Sequence, residues 1–218
     1  MTPDFWTSRW QNNDIGFHQK AVHDLLPKYW ADLKVPRGAS VLVPLCGKSV
    51  DMVWLADQGH DVFGIELSEL AVDAFFAERG LKPAVLEQGA SQLKMGGPYA
   101  LICGDFFSVQ PTATAHVTAV YDRASLVALP TGMRAAYARH LMELVPRGAK
   151  MLLISLEYDS AQMSGPPFSV PGREIEALFQ PYASVRRLQE RDVINTHPHF
   201  KAKGVTWLTE AAYMLERR

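Results

Sequence analysis

VLVPLCGKSVDMVWLADQGHDVFGIELS, residues 41–68, is the stretch whose reading decides the architecture. Val41-Leu42-Val43 is an apolar run closed by Pro44, and predicts a short buried strand. Pro44-Leu45-Cys46-Gly47-Lys48 then turns. Val50, Val53, Trp54 and Asp57 recur at helical spacing and predict a short helix, which Gly59 closes. Asp61 to Glu66 reads as the next strand. Strand, turn, helix and strand bring a turn, a helix N-terminus and a carboxylate to one edge of a sheet. That edge is where open α/β sheets bind adenosine-bearing cofactors.

Outward from this stretch, strands and helices keep alternating. Ser68 can cap the next helix, with Glu69 suited to its dipole and Leu70, Ala71, Ala74 and Phe75 as its inner face. Ala84-Val85-Leu86 is a third strand. Gly89, Gly96 and Gly97 interrupt the rhythm before a strand from Tyr99 to Cys103 and another from Val117 to Tyr121. Met133, Ala136, Tyr137, His140, Leu141 and Leu144 form an amphipathic helix stopped by Pro146. Met151 to Leu156 is a buried strand, residues 164–172 (SGPPFSVPG) a stiff loop, and Ile175, Leu178 and Phe179 mark a short helix. Ala183 to Leu188 and Gly204 to Leu208, extending as far as Tyr213, close the chain. The alternation predicts a mostly parallel sheet with helices on both faces. The last two strands, with no crossover helix, predict an antiparallel hairpin on its edge.

The first ~35 residues form a unit of their own. Trp6 and Trp10 are spaced to share a helical face. Phe17, Ala21, Val22, Leu25 and Leu26 predict a helix from Gly16, which Pro27 kinks or ends. A single domain over 1–218 is expected, with 1–35 as a cap and 36–218 as the α/β core.

With 48% hydrophobic residues the chain can bury a full core. Its 22 basic and 23 acidic residues give a net charge of −1, without the basic excess of a nucleic-acid binder. The two cysteines, Cys46 and Cys103, offer neither a disulfide framework nor zinc spacing. There is no signal pattern at the start and no apolar run near the roughly 20 residues that span a bilayer. The expectation is a cytoplasmic monomer acting on small molecules, without metal, membrane or nucleic acid.

Dinucleotide folds place G-x-G-x-x-G in the first turn, because backbone must approach a pyrophosphate. Here only Gly47 is present, with Pro44 and Leu45 where glycines would sit. A cofactor without phosphate, such as S-adenosylmethionine, needs no such cradle. Glu66 is positioned to accept hydrogen bonds from ribose hydroxyls, or simply to cap a helix. Asp105 and Phe106, after the strand ending at Cys103, offer an acceptor and an apolar wall to an adenine, or are a turn and a core ring. Arg123 brings a guanidinium with five donors to the same edge. It can hold a cofactor carboxylate or an anionic acceptor, or pair internally with Asp122 or Glu66. Cys46 reads as a small turn residue rather than a nucleophile. The 165–168 loop can roof a second pocket or merely connect. His197-Pro198-His199 lacks metal-partner spacing.

The run PLCGKSVDMVWLADQGHDVFGIELSELAV, together with FWTSRWQNNDIGFHQ, YDRASLVALP and EYD…GPPFSVP, resembles thiopurine S-methyltransferases, the bacterial members more closely. The resemblance spans nearly the whole chain. It implies a class I methyltransferase (Rossmann-like) fold, S-adenosylmethionine as methyl donor, S-adenosylhomocysteine as product, and an aromatic or heterocyclic thiol as acceptor. By motif position it implies Trp10, Leu45 and Glu66 at the cofactor, Arg123 between cofactor and acceptor as the catalytic electrostatic group, and Phe17, Pro166 and Pro167 at the acceptor. Vertebrate members carry a second arginine near the C-terminal hairpin, where this chain reads His197-Pro198-His199-Phe200-Lys201. Small selenium or tellurium species are further acceptors open to a bacterial member. A nicotinamide-dependent oxidoreductase and a silent S-adenosylmethionine-binding protein are the alternatives.

Overall fold

A computed structural model describes residues 3–218. In chain order its elements are α1 (Pro3–Gln11), α2 (Leu25–Tyr29), β1 (Ser40–Pro44), α3 (Asp51–Asp57), β2 (Asp61–Glu66), α4 (Glu69–Ala77), β3 (Ala84–Gln88), β4 (Ser91–Gly96) and β5 (Tyr99–Cys103). Then follow β6 (Val117–Arg123), α5 (Thr131–Leu144), β7 (Lys150–Glu157), α6 (Gly172–Phe179), β8 (Ala183–Asp192), α7 (Pro198–Ala202) and β9 (Thr209–Arg217). One nine-stranded sheet has the order β3-β4-β5-β2-β1-β6-β7-β9-β8. Its centre, β5-β2-β1-β6-β7, is parallel. Both flanks are antiparallel.

Strand alternation divides the core between the two faces. Leu42 and Ile65 pack on the side of α5 and α6, with Tyr137, Leu141, Ile175 and Phe179. Val41, Val43 and Val62 pack on the other side with Leu25, Leu26, Met52, Phe75 and Phe76. Gly64 lets the turn after β1 press against β2. A methyl group there would sit 2.4 Å from a Leu101 methyl and 2.8 Å from Cys46 Sγ. Gly64→Ala is therefore expected to cost about 1–3 kcal/mol through overpacking. An unchanged urea midpoint would mean that the turn can retreat.

The expected C-terminal hairpin is present, but its inner strand starts later. Residues 204–208 form no strand, because Val205 and Leu208 turn into a small cluster with Tyr158, Val193, Ile194 and Phe200. The stretch 88–97, read as a break, contains β4. Gly89 and Gly97, both at positive φ, form the tight turns on either side of it. This makes β3 an exposed antiparallel edge rather than a strand of the parallel core. The inner face of α3 is Asp51, Met52 and Leu55, not the Val50–Asp57 stripe. That of α4 is Ala71, Val72, Phe75 and Phe76, with Leu70 half exposed.

No helix starts near Gly16. The apolar residues that suggested one go to different places: Phe17 meets Trp6 and Trp10, whereas Leu25 and Leu26 enter the core. Pro27 lies in the first turn of α2, where a missing N–H costs nothing. The segment before α2 is anchored at its base. Arg191 binds both Asp24 oxygens at 2.5 and 2.7 Å and Glu210 at 2.5 Å, and His23 Nε2 lies 2.9 Å from Glu210. Among the described residues no helix is long and apolar enough to cross a membrane.

Candidate active site

Order reverses at β1, with β2 on one side and β6 on the other, so a crevice opens at the carboxyl ends of these strands. Leu45 (φ +46°) and Gly47 (φ +51°) fold the turn back over β2. The Gly47 amide then donates to Glu66 Oε2 at 2.8 Å, and the Ser68 amide to Oε1 at 2.7 Å. Glu66 is 6% exposed, and among the described residues no cation pairs with it. Burial lifts its pKa above the ordinary value, and the amides oppose that rise. With one hydrogen-bonded amide per oxygen and the Leu67 amide also acting on it, the carboxylate still has acceptor capacity to spare among its roughly four lone-pair sites. Trp10 covers the turn: a methyl group on Gly47 would lie 3.1 Å from its ring. Phe17 packs edge-on against Trp10 at 5.5 Å and Trp6 at 5.7 Å.

On the other side of β1, Arg123 ends β6, 15% exposed. Neither Glu66 nor Asp122 is its partner. Its Nη1 lies 3.5 Å from Oδ2 of Asp51, the fully buried first residue of α3. Asp122 points into the opposite face because side chains alternate along a strand. It accepts from the Tyr137 hydroxyl at 2.7 Å and the Leu126 amide at 3.2 Å. Burial pushes its pKa from 3.8 up to about 6. The folded chain therefore holds this proton more tightly than the unfolded chain, and stability falls as pH rises from about 4 to about 6. Asp122→Asn, with the Tyr137 hydroxyl turned to accept, is expected to remove that slope and add on the order of 2 kcal/mol at pH 8. Urea melts at pH 4.5 and pH 8 check it. Equal destabilisation at both would contradict it.

A family model described as Thiopurine S-methyltransferase matches residues 1–218. The chain belongs to the thiopurine S-methyltransferase family. A Xanthomonas campestris relative named thiopurine S-methyltransferase is 46% identical, with 100% of both chains covered. A Pseudomonas fluorescens relative of the same name is also 46% identical, over 99% of each. Among solved structures, an S-adenosylmethionine-dependent methyltransferase from Anabaena variabilis superposes with a TM-score of 0.66 at 13% identity, covering 99% and 95%. The 1,6-didemethyltoxoflavin N1-methyltransferase of Burkholderia thailandensis, solved with that compound and S-adenosylhomocysteine, gives 0.64 at 16% identity, covering 96% and 86%. The fold is thus the α/β fold of S-adenosylmethionine-dependent methyltransferases.

Within this family frame, the residues singled out from sequence fall into two groups. Leu45, Glu66 and Arg123 lie at adjacent strand ends, Trp10 of α1 covers Gly47 in the turn after β1, and Phe17 sits on Trp10. Asp105 is exposed beside Glu66, where the Gly104 amide donates to the Glu66 carbonyl at 2.8 Å. One Asp105 oxygen holds the Phe107 amide at 3.0 Å. Pro166 and Pro167 lie against the loop after β6. There the Phe168 amide donates to the Val127 carbonyl at 2.6 Å, and the Tyr158 hydroxyl to that of Pro167 at 2.6 Å. Phe106 is a correction. It is 2% exposed and packs on Tyr137 and His140, so it is a core ring with no free face. Half-buried Phe107 is the neighbour on the surface side.

Several site groups escaped sequence reasoning. Asp51, the first residue of α3, gives no signal beyond that of an acid in a first helical turn. Ser125 donates to the Pro44 carbonyl at 2.6 Å and ties β6's loop to β1. Between Arg123 and Ser125, Ala124 adopts φ +65°, a strained conformation of the kind that collects at working sites. His18 is half-buried, and burial with the nearby charges of Lys48 and Arg123 lowers its pKa. Cys46 is 6% exposed and burial drives its thiol pKa well up, which suits a turn residue and not a nucleophile.

Proposed function

We propose that this chain transfers a methyl group from S-adenosylmethionine to the sulfur of an aromatic or heterocyclic thiol such as a thiopurine. The observation that carries this reading is the meeting of three features on neighbouring strand ends: Glu66 on β2, the Leu45–Gly47 turn after β1, and Arg123 on β6. The first two suit an adenosyl group. Glu66 is a buried carboxylate with spare acceptor capacity and no cation, which a pair of hydroxyl donors would satisfy. Leu45 and Trp10 supply apolar walls, and Asp105 an acceptor at the next strand end, with Phe107 beside it.

When bound, S-adenosylmethionine supplies a methyl group already activated by its sulfonium. The chain's own task is therefore positioning, which can supply much of the rate. Arg123 stabilises the acceptor as its thiolate. Heterocyclic thiols ionise readily near neutral pH, so no side chain need act as a strong base. Phe17, Pro166 and Pro167 border the acceptor, and the N-terminal segment from Pro3 to residue 35 acts as a cap that keeps water out.

The test is methyl transfer from radiolabelled donor to a heterocyclic thiol, with a selenol in a parallel arm. A labelled thioether is expected. Tight binding of S-adenosylhomocysteine without transfer to either acceptor would instead mark a silent binder. Binding of a nicotinamide dinucleotide in its place would remove the reading.

A further inference from the structure

Asp51 has no exposed surface, and a buried carboxylate must be paired and hydrogen-bonded. Its partners come from separate parts of the chain. The His23 amide, at the base of the N-terminal cap, donates to Oδ1 at 2.8 Å. The Tyr121 hydroxyl, from β6, donates to Oδ2 at 3.0 Å. Arg123 Nη1, two residues further along β6 and so on the same face, lies 3.5 Å from that same oxygen. The Asp51 amide donates to Ser49 Oγ at 3.2 Å. Backbone and a phenol thus fix both oxygens before the arginine is counted. Burial and Asp51 itself hold the Tyr121 phenol well above its ordinary pKa, so it remains a donor.

A carboxylate held this way gives one guanidinium nitrogen a fixed anchor while the other donors stay uncommitted. The 3.5 Å separation is longer than a strong charge-assisted bond. Arg123 is therefore oriented without being consumed. We infer that Asp51 is the positioning residue that aims Arg123 at the methyl acceptor. This rests on the role proposed above for Arg123. The competing account is that Asp51 only pins α3, β6 and the cap together, with Arg123 a bystander.

Steady-state kinetics with a heterocyclic thiol, together with S-adenosylhomocysteine affinity, separates the two accounts. The variants are Asp51→Asn, Arg123→Lys and the double variant. Asp51→Asn keeps an acceptor for one donor but removes the anchor charge. It is expected to lower kcat at least about tenfold, with S-adenosylhomocysteine affinity within about twofold. In the Arg123→Lys background the same change should cost less than about twofold, because coupled residues are non-additive. Losses that multiply, or an Asp51→Asn kcat within about twofold of the parent, overturn the inference. Should Asp51→Asn fail to fold, Tyr121→Phe decides. It removes one donor from Oδ2 and is expected to lower kcat by about threefold only when Arg123 is present. An unchanged kcat overturns the inference. Full turnover in Arg123→Ala has a different signature: it removes the role of Arg123 and this inference with it.

Discussion

Arg123→Ala is expected to lower kcat/KM for a heterocyclic thiol by about 100-fold or more at neutral pH, the scale of losing one preorganised donor to a developing or resting anion. Arg123→Lys keeps a charge but loses the planar fork, and should still lose about tenfold. The alanine variant leaves Asp51 hydrogen-bonded to the Tyr121 hydroxyl and the His23 amide but without its counter-charge. A buried carboxylate that loses its cation should cost the fold about 3–5 kcal/mol. Kinetics well below the melting temperature then report chemistry rather than unfolding. S-adenosylhomocysteine affinity divides the two jobs an arginine can do here. Affinity held within about threefold places Arg123 with the acceptor, and a parallel loss of affinity places it with the cofactor's carboxylate. Full turnover in both variants would remove Arg123 from the mechanism.

The effect should also depend on the acceptor. A thiol largely ionised at the assay pH needs Arg123 for orientation, whereas a weakly acidic one needs it to exist as the thiolate. Poorly ionised thiols should therefore suffer more from Arg123→Ala. Cys46 is buried with its pKa driven up, and Asp122, next in sequence, faces the opposite side of the sheet.

The parallel centre of the sheet was legible because its strands are fully buried apolar runs separated by helix-length polar segments. Val41–Val43 and Val62–Ile65 are of this kind, Asp61 standing exposed at the start of β2, which ends at Glu66 as expected. Position at a strand end needs only that reading, so Glu66 and Arg123 could be placed. What failed needed partners far along the chain. Asp51 has its meaning from His23 and Tyr121, 28 and 70 residues away. On its own it is indistinguishable from any acid in a first helical turn. Phe17 to Leu26 carried a helical period whose members face different neighbours, so the period was coincidence and not an amphipathic face. Phe106 and Phe107 are adjacent in a single-turn helix at Phe106–Ser108, and only packing against Tyr137 and His140 decides which is inside. β3 was legible at Ala84–Leu86, but its hairpin partner β4 was hidden because Gly89, Gly96 and Gly97 read as an interruption and not as the tight turns and end of a strand.

Glu66 is the group whose loss should weaken cofactor binding most. Two charge-assisted hydrogen bonds to hydroxyls are worth about 1.5–3 kcal/mol each, so Glu66→Ala should weaken S-adenosylhomocysteine binding by about 100-fold or more. Glutamine should be nearly as damaging, because both Glu66 oxygens face backbone donors, Gly47 and Ser68. A side-chain NH2 must then point at one of those amides, and the Pro44–Lys48 turn loosens. At Asp122 the second donor is a hydroxyl that can reverse its role, so the same replacement there is tolerated. Binding should also carry a pH signature. Burial raises the Glu66 pKa in the free protein, and hydroxyl donors favour the ionised form, so binding releases a proton in the range where free Glu66 is protonated. Affinity should weaken as pH falls through that raised pKa and level off above it, and Glu66→Gln should abolish the slope. Trp10 over Gly47 gives a fluorescence readout at the site itself. A dissociation constant that ignores pH in the parent, or an unchanged one in Glu66→Gln, would place the ribose elsewhere. In that case the unspent acceptor capacity of a buried carboxylate at the switch point of the sheet would need another ligand.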